Sequence, residues 1–444
     1  MRPVSGITPG RLSPEETAHN FSDIEPAFAR NDARVASERC LFCYDAPCVV
    51  ACPTSIDIPL FIRQIATGNP QGAAKTIFDS NILGGMCARV CPTETLCEQA
   101  CVRELAEGKP IEIGRLQRYA TDVLLDAGTQ PYSRKAATGK RVAVIGAGPA
   151  GLSCAHALSR EGHEVTIFEA RPKSGGLNEY GIAAYKTTNN FAQREVDFIL
   201  ELGGITVKNG MALGKDVKLD QLRQDFDAVF IGAGLAAVNG LNLAGEDLQG
   251  VADAVDWIAS LRQASDMTQL PVGRRVVVIG GGMTAIDAAS QVKRLGAEEV
   301  TIVYRRGPEQ MNASRYEQEL AQTDGVLIRH WLSPKRLIGE AGRITGVEFD
   351  YMEEKAGKLS PTGETLILPC DQLFKAIGQK LVAPPVEALA LEAGRIRVDD
   401  ARHTSLNNVW AGGDCIAGGR DLTVSAVEDG KVAARSIHAY LSNA

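Results

Sequence analysis

No run of eighteen uncharged apolar residues occurs in the 444-residue chain, so no segment is expected to cross a bilayer as a helix. The opening residues, MRPVSGITPGRLSPEE, hold no apolar core of the kind a secretory signal needs. The cytoplasm is therefore the expected compartment, and a membrane partner is not expected. Histidine is scarce: the six are scattered and none forms an H-x-x-x-H pair, which removes the zinc-protease helix. No Ser–His–Asp pattern stands out either. Positive charge is not in excess, since 47 Lys and Arg face 54 Asp and Glu for a formal charge of −7. That balance gives no footing for nucleic acid and is too small for a dedicated acidic tail.

What is present is unevenly placed. Eight of the eleven cysteines lie between Cys40 and Cys101, in RCLFCYDAPCVVACP and MCARVCPTETLCEQAC; Cys154, Cys370 and Cys415 are scattered beyond. Disulfides are disfavoured in a reducing compartment. Structural zinc would accept C-x₂-C pairs such as Cys40 and Cys43. A redox dithiol at Cys40 and Cys43 would leave six neighbouring cysteines unexplained. Iron–sulfur ligation uses the set economically, because two [4Fe–4S] clusters need eight ligands. The simplest partition places Cys40, Cys43, Cys48 and Cys52 on one cluster. In two-cluster ferredoxins, however, the cysteine of a Cys-Pro step often serves the other cluster, and Cys52 and Cys91 are both such cysteines.

The length suggests two or three domains. Residues 1–135 read as mainly helical, with Asp57 a candidate cap ahead of Pro59. At Lys140 the texture changes to an α/β alternation: KRVAVIGAGPAGLSCAHALSREGHEVTIFEA is strand, glycine turn, helix and strand. Gly146, Gly148 and Gly151 allow the tight turn, the approach of a pyrophosphate and close helix packing, and Glu169 ends the next strand where a ribose hydroxyl would lie. A second such unit, GRRVVVIGGGMTAIDAASQVKRLGAEEVTIVYRR, repeats the pattern with Gly280, Gly282, Thr284 and Ala285. Its strand ends in Tyr304, Arg305 and Arg306 rather than an acid. Paired guanidiniums suit a 2′-phosphate, although Arg306 could instead pair with Glu309. Asp287 is a cap, a ligand contact or a solvated acid. One chain with two dinucleotide sites reads as a flavoprotein exchanging hydride with a nicotinamide.

GAGPAG, SGGLNEYGI, GGGMTAID and AGGDCIAGGRDLTVSAVEDGKVAA resemble the NADPH-dependent glutamate synthase small subunit and the N-terminal half of dihydropyrimidine dehydrogenase. GGLNEYGIAAYK and YRRGPEQMNASR incline the resemblance toward the small subunits of bacterial dihydropyrimidine dehydrogenase. The resemblance implies a helical two-cluster domain over 1–135 and a discontinuous FAD domain over 136–258 and 379–444, interrupted by an NAD(P) domain over 259–378. It implies that Gly175, Gly176 and Leu177 shape a loop around FAD, that Asp414 lies near the pyrophosphate, and that the helix beginning near Thr423 approaches the flavin. Lys186 falls where the family often has a basic residue. For the clusters it implies Cys40, Cys43, Cys48 and Cys101 on the first, and Cys52, Cys91, Cys97 and the side-chain oxygen of Gln117 on the second. Cys87 would then be a bystander, whereas the residues alone would favour Cys87 over Gln117. Further implications are NADH as donor, with NADPH possible, and a PreA-like large subunit that carries FMN and iron–sulfur clusters and interconverts uracil or thymine with the 5,6-dihydro compounds. The glutamate synthase small subunit and a non-catalytic zinc-bearing nucleotide-binding subunit are the alternatives.

Overall fold

The computed structural model describes residues 6–382, 386 and 388–443. It divides into two compact units. One comprises Glu25–Glu179, Asn189–Ala237 and the residues from Lys380 on; the other comprises the residues up to Ile24, Tyr180–Thr188 and Val238–Gln379.

The first, cysteine-bearing unit is built on a parallel five-stranded sheet. Its order is Val409–Ala411, Ala228–Ile231, Arg141–Ile145, Glu164–Glu169, Ile205–Asn209. Strands such as RVAVI are apolar almost throughout because helices cover both faces of a parallel sheet. Helices Pro149–Arg160 and Thr423–Ser442 pack closely, and a Cβ at Gly430 would collide with the carbonyl oxygen of Ala150. Ahead of the sheet run the helices Arg30–Glu38, Pro47–Ala51, Ile58–Ala66, Pro70–Ser80, Gly84–Val90, Val102–Glu107 and Ile113–Asp126. Asp57 caps the third of these by accepting from the Leu60 amide at 3.0 Å, with Pro59 in its first turn. Phe61, Ile77, Leu83 and Leu116 of these helices share one continuous core with Val142, Val144 and Leu158. The helical segment is thus not a separately cored domain.

The second unit has its own parallel sheet, ordered Val251–Asp253, Gln372–Lys375, Arg275–Ile279, Glu299–Val303, Leu327–Arg329. An antiparallel sheet of Leu332–Glu340, Arg343–Lys355 and Lys358–Pro369 adjoins it in sequence.

Three expected boundaries shift. The seam near 259 lies at Val238, because Val251–Asp253 pairs with Gln372–Lys375 as an edge strand of the second sheet. The first residues leave the helical segment: Thr8 bridges to Val272, Arg11 donates from Nε to the Val272 carbonyl at 2.9 Å, and Asn20 donates to the Arg294 carbonyl at 2.9 Å. Tyr180–Thr188 also joins the second unit, where the Ala184 amide donates to Gln291 at 2.9 Å.

Candidate functional site

Both glycine turns are shaped by their own backbones. Gly146 has φ +90°, and a Cβ there would strike the carbonyl oxygen of Gly232; Gly280 has φ +151° and meets that of Ala376 in the same way. Gly151 packs against the Gly146 carbonyl so closely that no side chain fits. The middle glycines differ. A Cβ at Gly282 would find nothing within 4 Å, and one at Gly148 only Gly176 Cα at 3.7 Å. No protein atom requires glycine at these two positions, whereas a pyrophosphate lying on the backbone would. The turns lead into helices Pro149–Arg160 and Met283–Arg294, whose first N–H groups favour an anion. Thr284 and the fully buried Ala285 stand in the first turn of the latter.

Around the first turn the loop residues converge. The Gly175 amide donates to the Ala147 carbonyl at 2.7 Å. A Cβ on Gly176, at φ +57°, would come within 2.7 Å of Gly148 Cα. Leu177 opens the short helix Leu177–Tyr180, and Asn178 accepts from the Thr423 hydroxyl at 2.7 Å. Asp414 sits beyond the strand Val409–Ala411, where burial, and then Asp421, push its carboxyl up to about 6. Glu169 is buried and already accepts from the Ala147 amide at 2.7 Å and the Arg171 amide at 2.8 Å. Each carboxylate oxygen keeps a lone pair for a ribose hydroxyl, so Glu169 shapes the turn as well as facing it. These residues fit a dinucleotide lying on the turn.

In the second unit Tyr304, Arg305 and Arg306 follow the strand Glu299–Val303, with both guanidiniums exposed. Glu309 pairs with Arg315 at 3.7 Å rather than with Arg306. Lys186 belongs to this unit and not to the one holding the first glycine turn. Its ammonium lies 2.8 Å from Asp287 Oδ1 and 2.8 Å from both oxygens of Glu317. Asp287 also accepts from the Ala183 amide at 3.2 Å. Lys186 and Asp287 thus form a buried ionic clasp that holds Tyr180–Thr188 on helix Met283–Arg294. In this structure Lys186 is the counter-charge that both carboxylates need when buried.

The cysteines gather round two hollows. Cys40, Cys43, Cys48 and Cys101 line one, with Leu41, Ile58 and Ile113. Cys52, Cys87, Cys91, Cys97 and Gln117 line the other, with Ile58 and Val424. Their free volumes, about 370 and 380 Å³ with the space at their mouths, are nearly equal. Cys52 and Cys101 have exchanged places relative to their neighbours in sequence, because the helix Pro47–Ala51 ends at Cys52 and turns that residue away from the CLFC loop. Among the described residues no group of three His, Cys, Asp or Glu side chains is placed to hold a single metal ion. The thiols that line each hollow, with one amide in the second, are a donor set that fits an iron–sulfur centre. Burial pushes the Cys48 thiol up to about 12, with Cys101 and Cys40 adding to it. A hydrogen bond with Cys87, and burial, raise Cys91; burial, and then Glu98, raise Cys97. Such thiols become thiolates only when a cationic centre binds them, so loading releases protons.

Polar groups approach a sulfur in each hollow. The Phe42 amide, at a left-handed φ of +51°, donates to Cys40 Sγ at 3.5 Å, and the Thr54 hydroxyl lies 3.4 Å from Cys52 Sγ. Neither has a sequence signature. Gln117 is 7% exposed, and its Nε2 donates to the Gly84 carbonyl at 2.7 Å. That bond leaves the amide oxygen as the polar atom offered to the second hollow.

Comparison with known proteins agrees with this geometry. Residues 140–430 match the pyridine nucleotide-disulphide oxidoreductase family, and residues 17–129 match dihydropyrimidine dehydrogenase domain II, 4Fe–4S cluster. The NAD-dependent dihydropyrimidine dehydrogenase subunit PreT of Salmonella typhimurium is 36% identical over 96% of this chain and 98% of its own. The glutamate synthase [NADPH] small chain of Halomonas elongata is 34% identical over 98% of this chain and 97% of its own. FprA of Mycobacterium tuberculosis, solved with NADPH, shares the fold over 68% of this chain and 85% of its own, at TM-score 0.60 and 22% identity. The thioredoxin reductase of T. acidophilum does so over 69% and 100%, at 0.54 and 20%. No helix among the described residues is long and apolar enough to cross a membrane. The chain is a flavin- and iron–sulfur-type oxidoreductase subunit, and it belongs to the family of pyridine nucleotide-disulphide oxidoreductases with an N-terminal 4Fe–4S domain that includes PreT and the glutamate synthase small chain.

Proposed function

We propose that the chain is the electron-input subunit of a dihydropyrimidine dehydrogenase. It takes reducing equivalents from NADH and delivers them, by way of FAD and two [4Fe–4S] clusters, to a PreA-like partner carrying FMN, where uracil or thymine and their 5,6-dihydro forms interconvert. The observation that carries this reading is the sorting of the cysteines into two like hollows within the unit that holds the first glycine turn. Bound flavin would accept a hydride pair and bound clusters would carry electrons singly.

The chain's own residues suggest a direction. Thr423 bonds the Gly175–Leu177 loop through Asn178, and its neighbour Val424 lines the second hollow. The second hollow therefore adjoins the flavin loop. Ile58 lines both hollows, and the first is walled by Leu41, which is 57% exposed. Tyr44, Val50 and Leu105, on the same cysteine-bearing segments, are also exposed. Apolar side chains in this position favour a partner that covers the exit from the first hollow. Gln117 is taken as the fourth ligand of the second hollow, because the Gly84 carbonyl holds its nitrogen and leaves its amide oxygen for the hollow.

Exposed Arg305 and Arg306 favour a second reading, a glutamate synthase small chain drawing on NADPH. Oxygen-free copurification separates the two. An FMN-bearing partner with NADH-dependent uracil reduction supports the first, and a glutamine-amidotransferase partner with glutamate formation supports the second. For the nucleotide, a large NADPH preference abolished by Arg305→Ala would overturn the choice of NADH.

A further inference from the structure

Glu195 has no place in the ligand sets above, and it is wholly buried in helix Phe191–Leu200. It accepts from the Gly85 amide at 2.7 Å through Oε1, and from the Met86 amide at 3.2 Å through each oxygen. These amides begin helix Gly84–Val90, which carries Cys87 and ends at Cys91. The Gly85 N–H belongs to the same peptide group as the Gly84 C=O, and that carbonyl accepts from Gln117 Nε2 at 2.7 Å. One peptide group is therefore held at its nitrogen by a carboxylate and at its oxygen by the side chain that lines the second hollow. Hydrogen bonds at the two ends of a peptide polarise each other, so acceptance of the Gly85 N–H by Glu195, as neutral acid or as carboxylate, makes the Gly84 carbonyl a stronger acceptor.

The local sequence is built to let this happen. A Cβ on Gly85 would lie 2.6 Å from the Phe191 ring and 2.8 Å from Glu195 Oε1, so a side chain there would drive the carboxylate away. The nearest other charges are arranged among themselves. Arg89 makes a two-pronged pair with Asp122 at 2.8 and 2.9 Å, bonds the Gly85 carbonyl at 3.0 Å and lies 3.4 Å above the Phe191 ring. Arg118 lies 3.5 Å from Asp122. Burial pushes Glu195 up to about 8, against the lowering effect of the Gly85 and Met86 amides and Arg89. A buried acid is a costly way to satisfy two amides, which points to a use beyond capping.

We propose that Glu195 is a positioning residue for the second hollow: through the Gly84–Gly85 peptide it fixes the Gln117 amide with its nitrogen inward and its oxygen toward the metal centre. The inference rests on Gln117 being a ligand of that centre. If the amide turned over, two oxygens would face each other at Gly84, and the hollow would be offered an N–H that cannot ligate.

The test uses the full chain purified without oxygen, with electron paramagnetic resonance of the reduced protein, a redox titration and iron per FAD as readouts. Glu195→Ala is expected to shift the second centre's signal and midpoint and to weaken its retention against a chelator by about 10–100-fold, as loss of a supporting hydrogen bond does elsewhere. The signal that Cys101→Ser removes should stay put. Glu195→Gln keeps an oxygen for Gly85, and its spectrum should return toward that of the unaltered protein; it also serves if the alanine variant folds poorly. Gln117→Leu should move the same signal, and adding Glu195→Ala to it should move it no further. If Gln117→Leu leaves the spectrum unchanged, the ligand assignment fails. If Gln117→Leu shifts it while both Glu195 variants do not, or if the two changes simply add, the relay fails and the ligand assignment stands.

Discussion

The two cysteine hollows hold nearly the same volume and share a wall at Ile58, yet they are built differently. The first draws all four of its cysteines from Cys40, Cys43, Cys48 and Cys101, and an exposed leucine stands at its rim. The second includes buried Cys52 and Cys87 and an amide side chain, and it touches Val424 of the helix Thr423–Ser442, whose Thr423 bonds Asn178 beside the Gly175–Leu177 loop. The contrast teaches that ligand count alone does not define such a pair. The exposed Leu41 at its rim makes the first the outward-facing assignment, while half-buried cysteines occur in both, Cys40, Cys43 and Cys48 in the first and Cys91 and Cys97 in the second.

The largest expected effect breaks the partition itself. Cys101→Ser should abolish the signal shared with Cys40, and Cys52→Ser the other, each lowering iron to about half because each cluster needs its full ligand set. If Cys52→Ser removed the same signal as Cys40→Ser, the two hollows would not be the two sites. Exposure gives the next difference. Under a chelator or ferricyanide, followed by resonance spectroscopy, the first centre should disappear before the second, and simultaneous loss would contradict the outward-facing assignment. A finer test compares the two extra groups of the second hollow: Gln117→Leu should shift its midpoint and Cys87→Ala should leave it within error, whereas the reverse would make Cys87 the ligand. The smallest effect belongs to Thr54. Donation to a ligand sulfur stabilises the reduced state, so Thr54→Val should make the second midpoint more negative while the first, bonded by the Phe42 amide, stays unchanged.

A separate check concerns acid. Burial, and then Arg160, lower His156 to about 3. The unfolded chain therefore binds one more proton than the folded one between that value and the ordinary histidine range near 6.5. Stability should fall as pH drops through this window, by at most about 1.4 kcal/mol per pH unit. Thermal melts of the cysteine-bearing unit's His156→Asn variant against pH should show a shallower slope.

Much of this was legible in the chain. Gly146, Gly148 and Gly151, and their counterparts Gly280 and Gly282, announce themselves because a tight turn and a bound phosphate tolerate no side chain, a restriction written into residue type. The dense cysteines announce metal chemistry for the same reason. Lys186 was not legible: a lysine carries no mark of whether it faces a cofactor or two buried carboxylates, and Asp287 and Glu317 lie 101 and 131 positions away. Nor was Glu195, one of two acids on an amphipathic helix, or the attachment of the residues up to Ile24 to the second unit.

By itself the sequence determined two dinucleotide turns, the strand ends that follow them and a cysteine-rich segment, since each depends on residue type at short spacing. Resemblance already implied that Cys52 leaves its neighbours and Cys101 joins them; only the tertiary structure supplied the helix end that turns Cys52 away and decided that a glutamine meets a glutamate across one peptide group. Those outcomes depend on where the helices Pro47–Ala51, Gly84–Val90, Ile113–Asp126 and Phe191–Leu200 end and pack, and the shared apolar core sets that packing over separations no local pattern records.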